Sequence, residues 1–491
     1  MDNFEPITLM PPPDERRFLY TAFGRRLYGM NNPIFVHDSL RSRPTLVVGS
    51  TGYGKTDFLL SMAMQDAAKG RLVVFVDGKC EASTMQKLYY YVRRLDRNRA
   101  TPRPFLTFLP FQDLDHLTST WNPLLSTTLP IGTIAEAFFN AYDHPDNSEG
   151  ANGAYYTEYQ RNIFVKLMRA LHTSGYAYSP QDIQHLVSSD YTLDNLHRIL
   201  NAAGTNYYVD VLKAKREDKR KFNENMLRFA NHLKMFDHWS LNSYNPTIQF
   251  DRLLHTDAVI YVGLPVNSQT HLMSAVGNIL INQLKALSAH VQSNNKMKRH
   301  AISCIIDEAG SFIDNGMAEW IAKVRSSGFM LTLGIQVLAN LLGRRPGFDE
   351  EIKANSPNVL LFNPQNEGTA QWFSSLSGQE QHKSVSANVE GAGGEFSETG
   401  AGTVRTAPDS RVPLDAMLAL RTGQFFYRPA VTVERPYLLA APYLPDPPER
   451  PDLDFQRSFH LPPAELRGLN LHYQVSNERA RVAETMQGTR G

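Results

Sequence analysis

The chain has 491 residues, 42% of them apolar and 20% charged, which suits two or three packed domains and is too long for one simple core. Lys and Arg number 50 against 49 Asp and Glu, a net charge of +1, so no global basic field draws nucleic acid and any such contact must be local. The two cysteines, Cys80 and Cys304, sit in apolar strand-like surroundings, which argues for a reducing compartment and against a disulfide framework or a metal cluster. No run approaches the roughly 18 apolar residues a membrane span needs, and the acidic, Pro-rich start MDNFEPITLMPPPDERR is unlike a signal peptide.

Residues 1–40 carry turn formers and mixed charge (PPPDERR, GMNNP) and read as an arm leading into the first core strand, Thr45–Val48. Residues 41–150 read as the first part of a nucleotide-binding domain. Gly49–Thr56 (GSTGYGKT) follows the first strand and opens a helix. Arg71–Asp77 (RLVVFVD) is apolar throughout with an acidic end, the pattern of a strand buried on both faces and therefore of a parallel sheet. A third strand is expected at Phe105–Leu109, and QDLDHLTSTWNPLL reads as loop.

From 151 to 240 the character changes. Tyr155, Tyr156, Phe164, Leu167, Met168 and Leu171 fall at helical spacing, a charged helix follows, and the segment reads as an all-α insertion. Residues 241–445 read as the second part of the nucleotide-binding domain, with strands at Ala258–Leu264, Ala301–Ile306, Met330–Ile335 and Asn358–Phe362. A long amphipathic helix carries Leu272, Met273, Val276, Leu280, Leu284 and Leu287 on one face. Strands alternating with helices specify a doubly wound α/β fold with a parallel-rich sheet. Residues 383–408 are Gly- and Ser-rich and expected to be mobile. Gln424–Tyr427 and Tyr437–Leu439 read as last edge strands, and 446–491 as a Pro-rich, polar tail.

GSTGYGKT matches GxxxxGK[ST], in which glycines turn successive N–H groups inward on a phosphate at a helix N-terminus. Gly49, Ser50, Thr51, Gly52, Tyr53, Gly54, Lys55 and Thr56 are thus the candidate ATP-binding residues. Lys55 reaches the β- and γ-phosphates and the Thr56 hydroxyl ligates Mg²⁺. Cys304–Glu308 (CIIDE) ends an apolar strand with two carboxylates. Asp307 suits the water shell of the metal, and Glu308 suits the polarising of an attacking water. The alternative for such a pair alone is a solvated strand end.

Gln336, just beyond the strand MLTLGI, is expected at the carboxyl edge beside the nucleotide, as a γ-phosphate sensor or as an ordinary loop amide. Arg325 is a candidate arginine finger for a neighbouring subunit or a helix C-terminal cation, with Arg344, Arg345 and Lys353 comparable. The cluster Lys213, Lys215, Arg216, Lys219, Arg220 and Lys221, interleaved with Glu217 and Asp218, reads as a solvated helix face rather than a phosphate patch. Asp77-Gly78-Lys79 either touches nucleotide or forms a turn.

The ordered set GSTGYGKTDFLL, FVDGKCEAS, STWNPLL, AVIYVGLP, CIIDEAG, KVRSSGFMLTLGIQ and IKANSPNVLLF resembles the type IV coupling proteins of the TraD, TraG, TrbC and DotL kind, over roughly residues 40–445. The resemblance implies a RecA-like P-loop ATPase that uses ATP and Mg²⁺, with an inserted all-α domain, assembled as a homohexameric ring at the cytoplasmic face of the bacterial inner membrane. Lys55 and Thr56 match its Walker A pair, Asp307 and Glu308 its Walker B pair, and Gln336 the glutamine after the next strand.

Such rings recruit DNA–relaxase complexes or effector proteins, with adaptors, and deliver them to the secretion channel, DNA passing through the lumen. The family's N-terminal transmembrane helices have no counterpart here, so membrane attachment is expected through a removed anchor or a partner. IKANSP is also similar to the FtsK/HerA DNA pumps, yet where those carry an arginine after the proline segment this chain has Asn358-Val359. A translocase of that type, and an ATP-assembled recruitment platform with little motor activity, are the alternative readings.

Overall fold

A computed structural model describes residues 7–8, 19–27, 32–111, 116–142, 151–188, 206–267, 270–294, 302–312, 315–341, 347–392, 395–431, 435–448 and 467–469. In chain order the first strands are β1 (Ile7–Thr8), β2 (Tyr20–Arg26), β3 (Pro33–His37), β4 (Thr45–Val48), β5 (Leu72–Asp77) and β6 (Phe105–Phe108). There follow β7 (Tyr176–Ala177), β8 (Val259–Gly263), β9 (Ile302–Asp307), β10 (Phe329–Ile335) and β11 (Asn358–Phe362). The last are β12 (Gln379–Ala392), β13 (Glu395–Ser410), β14 (Gln424–Arg428), β15 (Tyr437–Ala440) and β16 (Arg467–Gly468).

The chain divides into two compact units. The first comprises residues 1–62 and 331–445. Here β4 lies between β10 and β11, parallel to both, with Val48 opposite Ile335 and Leu361. Beyond β11 the strands turn antiparallel, through β14 and β15 to β2 and β3. All four residues of β4 and all five of β11 are buried, as expected of strands covered on both faces. Phe58, on the helix that leaves the glycine-rich loop, packs on Phe425 at 5.3 Å and Phe23 at 5.7 Å between ring centroids, and Phe362 stacks on Phe425 at 4.9 Å. This aromatic cluster fixes the helix behind the loop.

The second unit comprises residues 63–330 and 446–491. Its strands β9, β5, β8 and β6 are parallel throughout, and Asp77 at the end of β5 is level with Asp307 on β9 and Gly263 on β8. The helices Ala151–Thr173, Pro180–Ser188, Asn206–Glu217 and Lys219–Leu233 occupy the segment read as helical. Phe139, stacked on Phe229 at 5.3 Å, and Phe138, tilted on Phe164 at 5.5 Å, fill their core. The short parallel pair of β7 and β16 accompanies these helices, which a helical periodicity does not signal. The segment STWNPLL is itself anchored: Asn122, 1% exposed, donates to Tyr178 O and Ser243 O at 2.9 Å each.

Two expectations change. Residues 1–40, read as an arm, contribute β1, β2 and β3; in YTAFGRR the alternation is broken by the irregularity between Ala22 and Gly24 and by two arginines, and PIFVH alternates over only five residues, so neither stands out as a buried run. Residues 383–408, read as mobile, belong to the antiparallel ribbon of β12 and β13, from Gln379↔Ser410 to Ala392↔Glu395. The Ser, Thr and Val residues among its glycines suit a strand, and composition alone hid that. The tail is described only at 446–448 and 467–469, so most of it lies outside the described residues.

Candidate nucleotide-binding site

In the first unit, Gly49–Thr56 joins β4 to the 14-residue helix Lys55–Ala68. Gly52 and Gly54 have φ of 85° and 91°, left-handed values that cost a glycine little and that let N–H groups converge on an anion. Lys55 opens the helix, is 3% exposed, and donates from Nζ to Ile335 O at 3.1 Å. Gly49 N–H donates to the same carbonyl at 3.2 Å, and Ser50 donates from its N–H to Asn363 O at 2.9 Å and from Oγ to Pro364 O at 2.7 Å. The loop is thus tied to the ends of both strands that flank β4. Because Ile335 is level with Val48, Gln336 stands beside Gly49, half-buried, as its position after the strand predicts. Thr56 is also half-buried.

Two contributors escape sequence reading. The turn before β14 supplies Gly423, whose N–H donates to Tyr53 O at 2.9 Å and whose backbone would lie 3.3 Å from any Cβ on Gly54. Gln365 donates from Nε2 to the Tyr53 hydroxyl at 2.8 Å. Only the glycine in RTGQ, just before an apolar strand, hints at such a turn.

In the second unit, β9 is buried along its whole length and ends on Asp307, 1% exposed, whose Oδ1 accepts the Glu308 N–H at 3.0 Å. Glu308 leaves the strand in the left-handed conformation, φ 56° and ψ 40°. Asp77 ends the neighbouring strand, and burial raises its pKa although Tyr261 and the N–H groups of Lys79, Glu81 and Cys80 oppose the shift. Burial pushes the Cys80 thiol up to about 12, helped by Asp77, and Cys304 likewise to about 12, so neither is a thiolate at neutral pH.

The basic candidates separate. Arg325 is exposed in the turn Val324–Ser327, at the amino end of β9, where Gly328 O accepts the Ile302 N–H. It is therefore not brought to Asp307 and Glu308, which close the other end of that strand. Lys353 pairs with Asp349 at 2.9 Å and with Glu350 on its own helix. Arg344 and Arg345 lie outside the described residues. Lys213 and Arg220 make exposed pairs with Glu217 and Glu224, as on a solvated face, whereas Lys215 of the same cluster is buried, 6% exposed, so the face is not solvated throughout. Among the described residues no group of three or more His, Cys, Asp or Glu side chains forms a metal cluster, and no described helix is long and apolar enough to cross a membrane.

A strand, a glycine-rich loop wound at a helix N-terminus with a buried lysine at its first position, and mostly parallel strands define the class: the mixed α/β fold of the P-loop NTPases. Residues 301–417 match the family described as the TraM recognition site of TraD and TraG. The fold is similar to that of the bacterial conjugative coupling protein TrwB in its unbound form (TM-score 0.53, 14% identity, covering 85% of this chain and 88% of that one). TrwB in complex with ADP and Mg²⁺ aligns with a TM-score of 0.54 at 14% identity, covering 87% and 96%. VirB4 of Thermoanaerobacter pseudethanolicus aligns with a TM-score of 0.51 at 13% identity, also covering 87% and 96%. No curated protein matches the chain by sequence.

Proposed function

We propose that this chain is the ATPase of a type IV coupling protein, which recruits substrate and delivers it to a secretion or conjugation channel. The observation that carries the proposal is the loop Gly49–Thr56, wound around left-handed glycines with Lys55 buried at the head of a 14-residue helix. The loop N–H groups and Lys55 hold the β- and γ-phosphates of ATP. The Thr56 hydroxyl and Asp307 are the candidates to hold Mg²⁺, which when bound neutralises charge developing on the phosphates. TrwB has been solved with ADP and Mg²⁺ and with a non-hydrolysable ATP analogue, which supports this choice of ligands.

Glu308 accepts a proton from the attacking water as the water oxygen bonds to the γ-phosphorus and the bond to the leaving ADP oxygen breaks. Gln336 orients the γ-phosphate or that water. Arg325, exposed, serves a neighbouring subunit in a hexameric ring at the cytoplasmic face of the inner membrane. The match of residues 301–417 to the TraM recognition region favours relaxosome proteins of the TraM type, with DNA–relaxase or effector cargo, as partners. The segment 151–240 acts as an inserted domain and 446–491 as a tail.

The test is ATP hydrolysis measured together with mass by light scattering, with and without single- and double-stranded DNA, for wild type and Lys55→Ala. Turnover by an oligomer, lost in Lys55→Ala and stimulated by DNA, is the expected result. Turnover that survives Lys55→Ala sinks the assignment of the loop.

A further inference from the structure

Residues Asp77–Glu81 (DGKCE) take no part in the reaction as described above, yet the turn they form is held by several hydrogen bonds. Asp77, 2% exposed, accepts the Lys79 N–H at 2.8 Å on Oδ1, and on Oδ2 the Glu81 N–H at 3.1 Å and the Tyr261 hydroxyl at 2.6 Å. Gly78 is bonded on both sides, donating to Asp307 O at 3.4 Å and accepting from Val266 N–H at 3.2 Å. Cys80 closes the turn at a φ of 56°. With the backbone so held, Lys79 Nζ stands 3.1 Å from Glu308 Oε1, the two side chains 21% and 11% exposed. Glu308 is also confined from below. A Cβ on Gly78 would lie 2.9 Å from Glu308 Cβ and 3.1 Å from the Phe312 ring, so only glycine allows the left-handed glutamate to sit there.

We infer that Lys79 is a positioning residue for Glu308, mounted by Asp77 and Tyr261 so that one ammonium–carboxylate contact sets the direction in which the glutamate points. Three adjacent strands supply one link each: Tyr261 from β8, Asp77 and its turn from β5, Glu308 from β9. An exposed ion pair would contribute little. Here a half-buried ammonium meets a nearly buried carboxylate whose backbone is already committed to an uncommon conformation, so the side-chain torsions are the freedom that remains, and the contact removes it. Burial works against the charge on Lys79, but Glu308 first, then Asp307 and Glu81, outweigh it and raise its pKa, so the ammonium is retained.

The inference rests on Glu308 being the group that polarises water, and the experiment separates the two. Single-turnover hydrolysis of labelled ATP is measured with ATP affinity and thermal unfolding for Lys79→Met, Lys79→Arg, Tyr261→Phe, Glu308→Gln and Glu308→Gln with Lys79→Met. Lys79→Met is expected to slow turnover about tenfold or more with ATP affinity unchanged, a loss typical of a misdirected catalytic group. Lys79→Arg restores most of it, and Tyr261→Phe, which keeps the ring and removes one link, loses severalfold. In the Glu308→Gln background, Lys79→Met adds no further loss, because the group it directs is gone. If Glu308→Gln turns over normally, the reading of Glu308 falls and the inference with it. If Glu308→Gln is inactive while Lys79→Met matches wild type, or if the two losses simply multiply, Lys79 is a structural cation and the inference alone is overturned.

Discussion

Asn358 occupies the place where DNA pumps of the FtsK kind carry an arginine, and its side chain is fully engaged in holding the fold. It is 1% exposed, donates from Nδ2 to Leu40 O at 2.8 Å and Arg43 O at 3.2 Å, and accepts the Ala430 N–H at 3.0 Å on Oδ1. A finger cannot come from this position without unpairing the segments on both sides of β11. Asn358→Ala removes the side-chain partner of Ala430 N–H and Arg43 O, while Leu40 O keeps the Arg43 N–H, at a cost of about 1–3 kcal/mol for such a group. The expected result is a urea unfolding free energy lowered by that amount, seen as a lower midpoint, with ATP affinity unchanged, and an unaltered midpoint would refute the role. Among single residues, the places of Lys55, Thr56, Asp307, Glu308 and Gln336 at the strand ends were legible because each stands at a set distance from an apolar run; their roles are those proposed above. Gly423, Gln365 and Tyr261 were not, because their roles come from contacts made across hundreds of residues or between neighbouring strands.

At the scale of elements, strands buried on both faces were readable from continuous apolar runs, and β4, β5, β8, β9, β10 and β11 all lie where those runs are. Strands with one exposed face or a break in register, such as β2 and β3, and the Ser- and Gly-rich ribbon of β12 and β13, gave no such signal. The helix Lys219–Leu233 carries a property that pattern reading does not show. Burial holds His232 near a pKa of about 4, against 6.5 for a free histidine. Below 6.5 the unfolded chain takes up a proton that folded His232 refuses, so stability that is complete above 6.5 is lost progressively as pH falls toward 4 and changes no further from this source below it. Thermal unfolding at pH 7.5, 5.5 and 4 should therefore show His232→Gln gaining on the wild type as pH falls. A difference between the two that does not vary with pH would remove His232 as the cause.

Across the whole molecule, the alternation of strands and helices announced an α/β fold, and the spacing between motifs gave the resemblance to the coupling proteins, before any geometry was known. Periodicity is a local property, so it did not show which distant segments shape the loop Gly49–Thr56. Ser50 is bonded to a carbonyl 314 positions later, Lys55 to one 280 positions later, and Tyr53 to a side chain 312 positions later. Ribosomes make the chain from the amino end. The glycine-rich motif therefore leaves the ribosome early and waits, unshaped, through most of translation for β10, β11 and the turn at Gly423. Stalled nascent chains of increasing length, probed with a photo-crosslinking ATP analogue, should acquire nucleotide only after residue 423 has emerged, and crosslinking in chains that end before residue 335 would contradict this. On the proposed function, such an order of synthesis would keep incomplete chains from competing for nucleotide with finished ones.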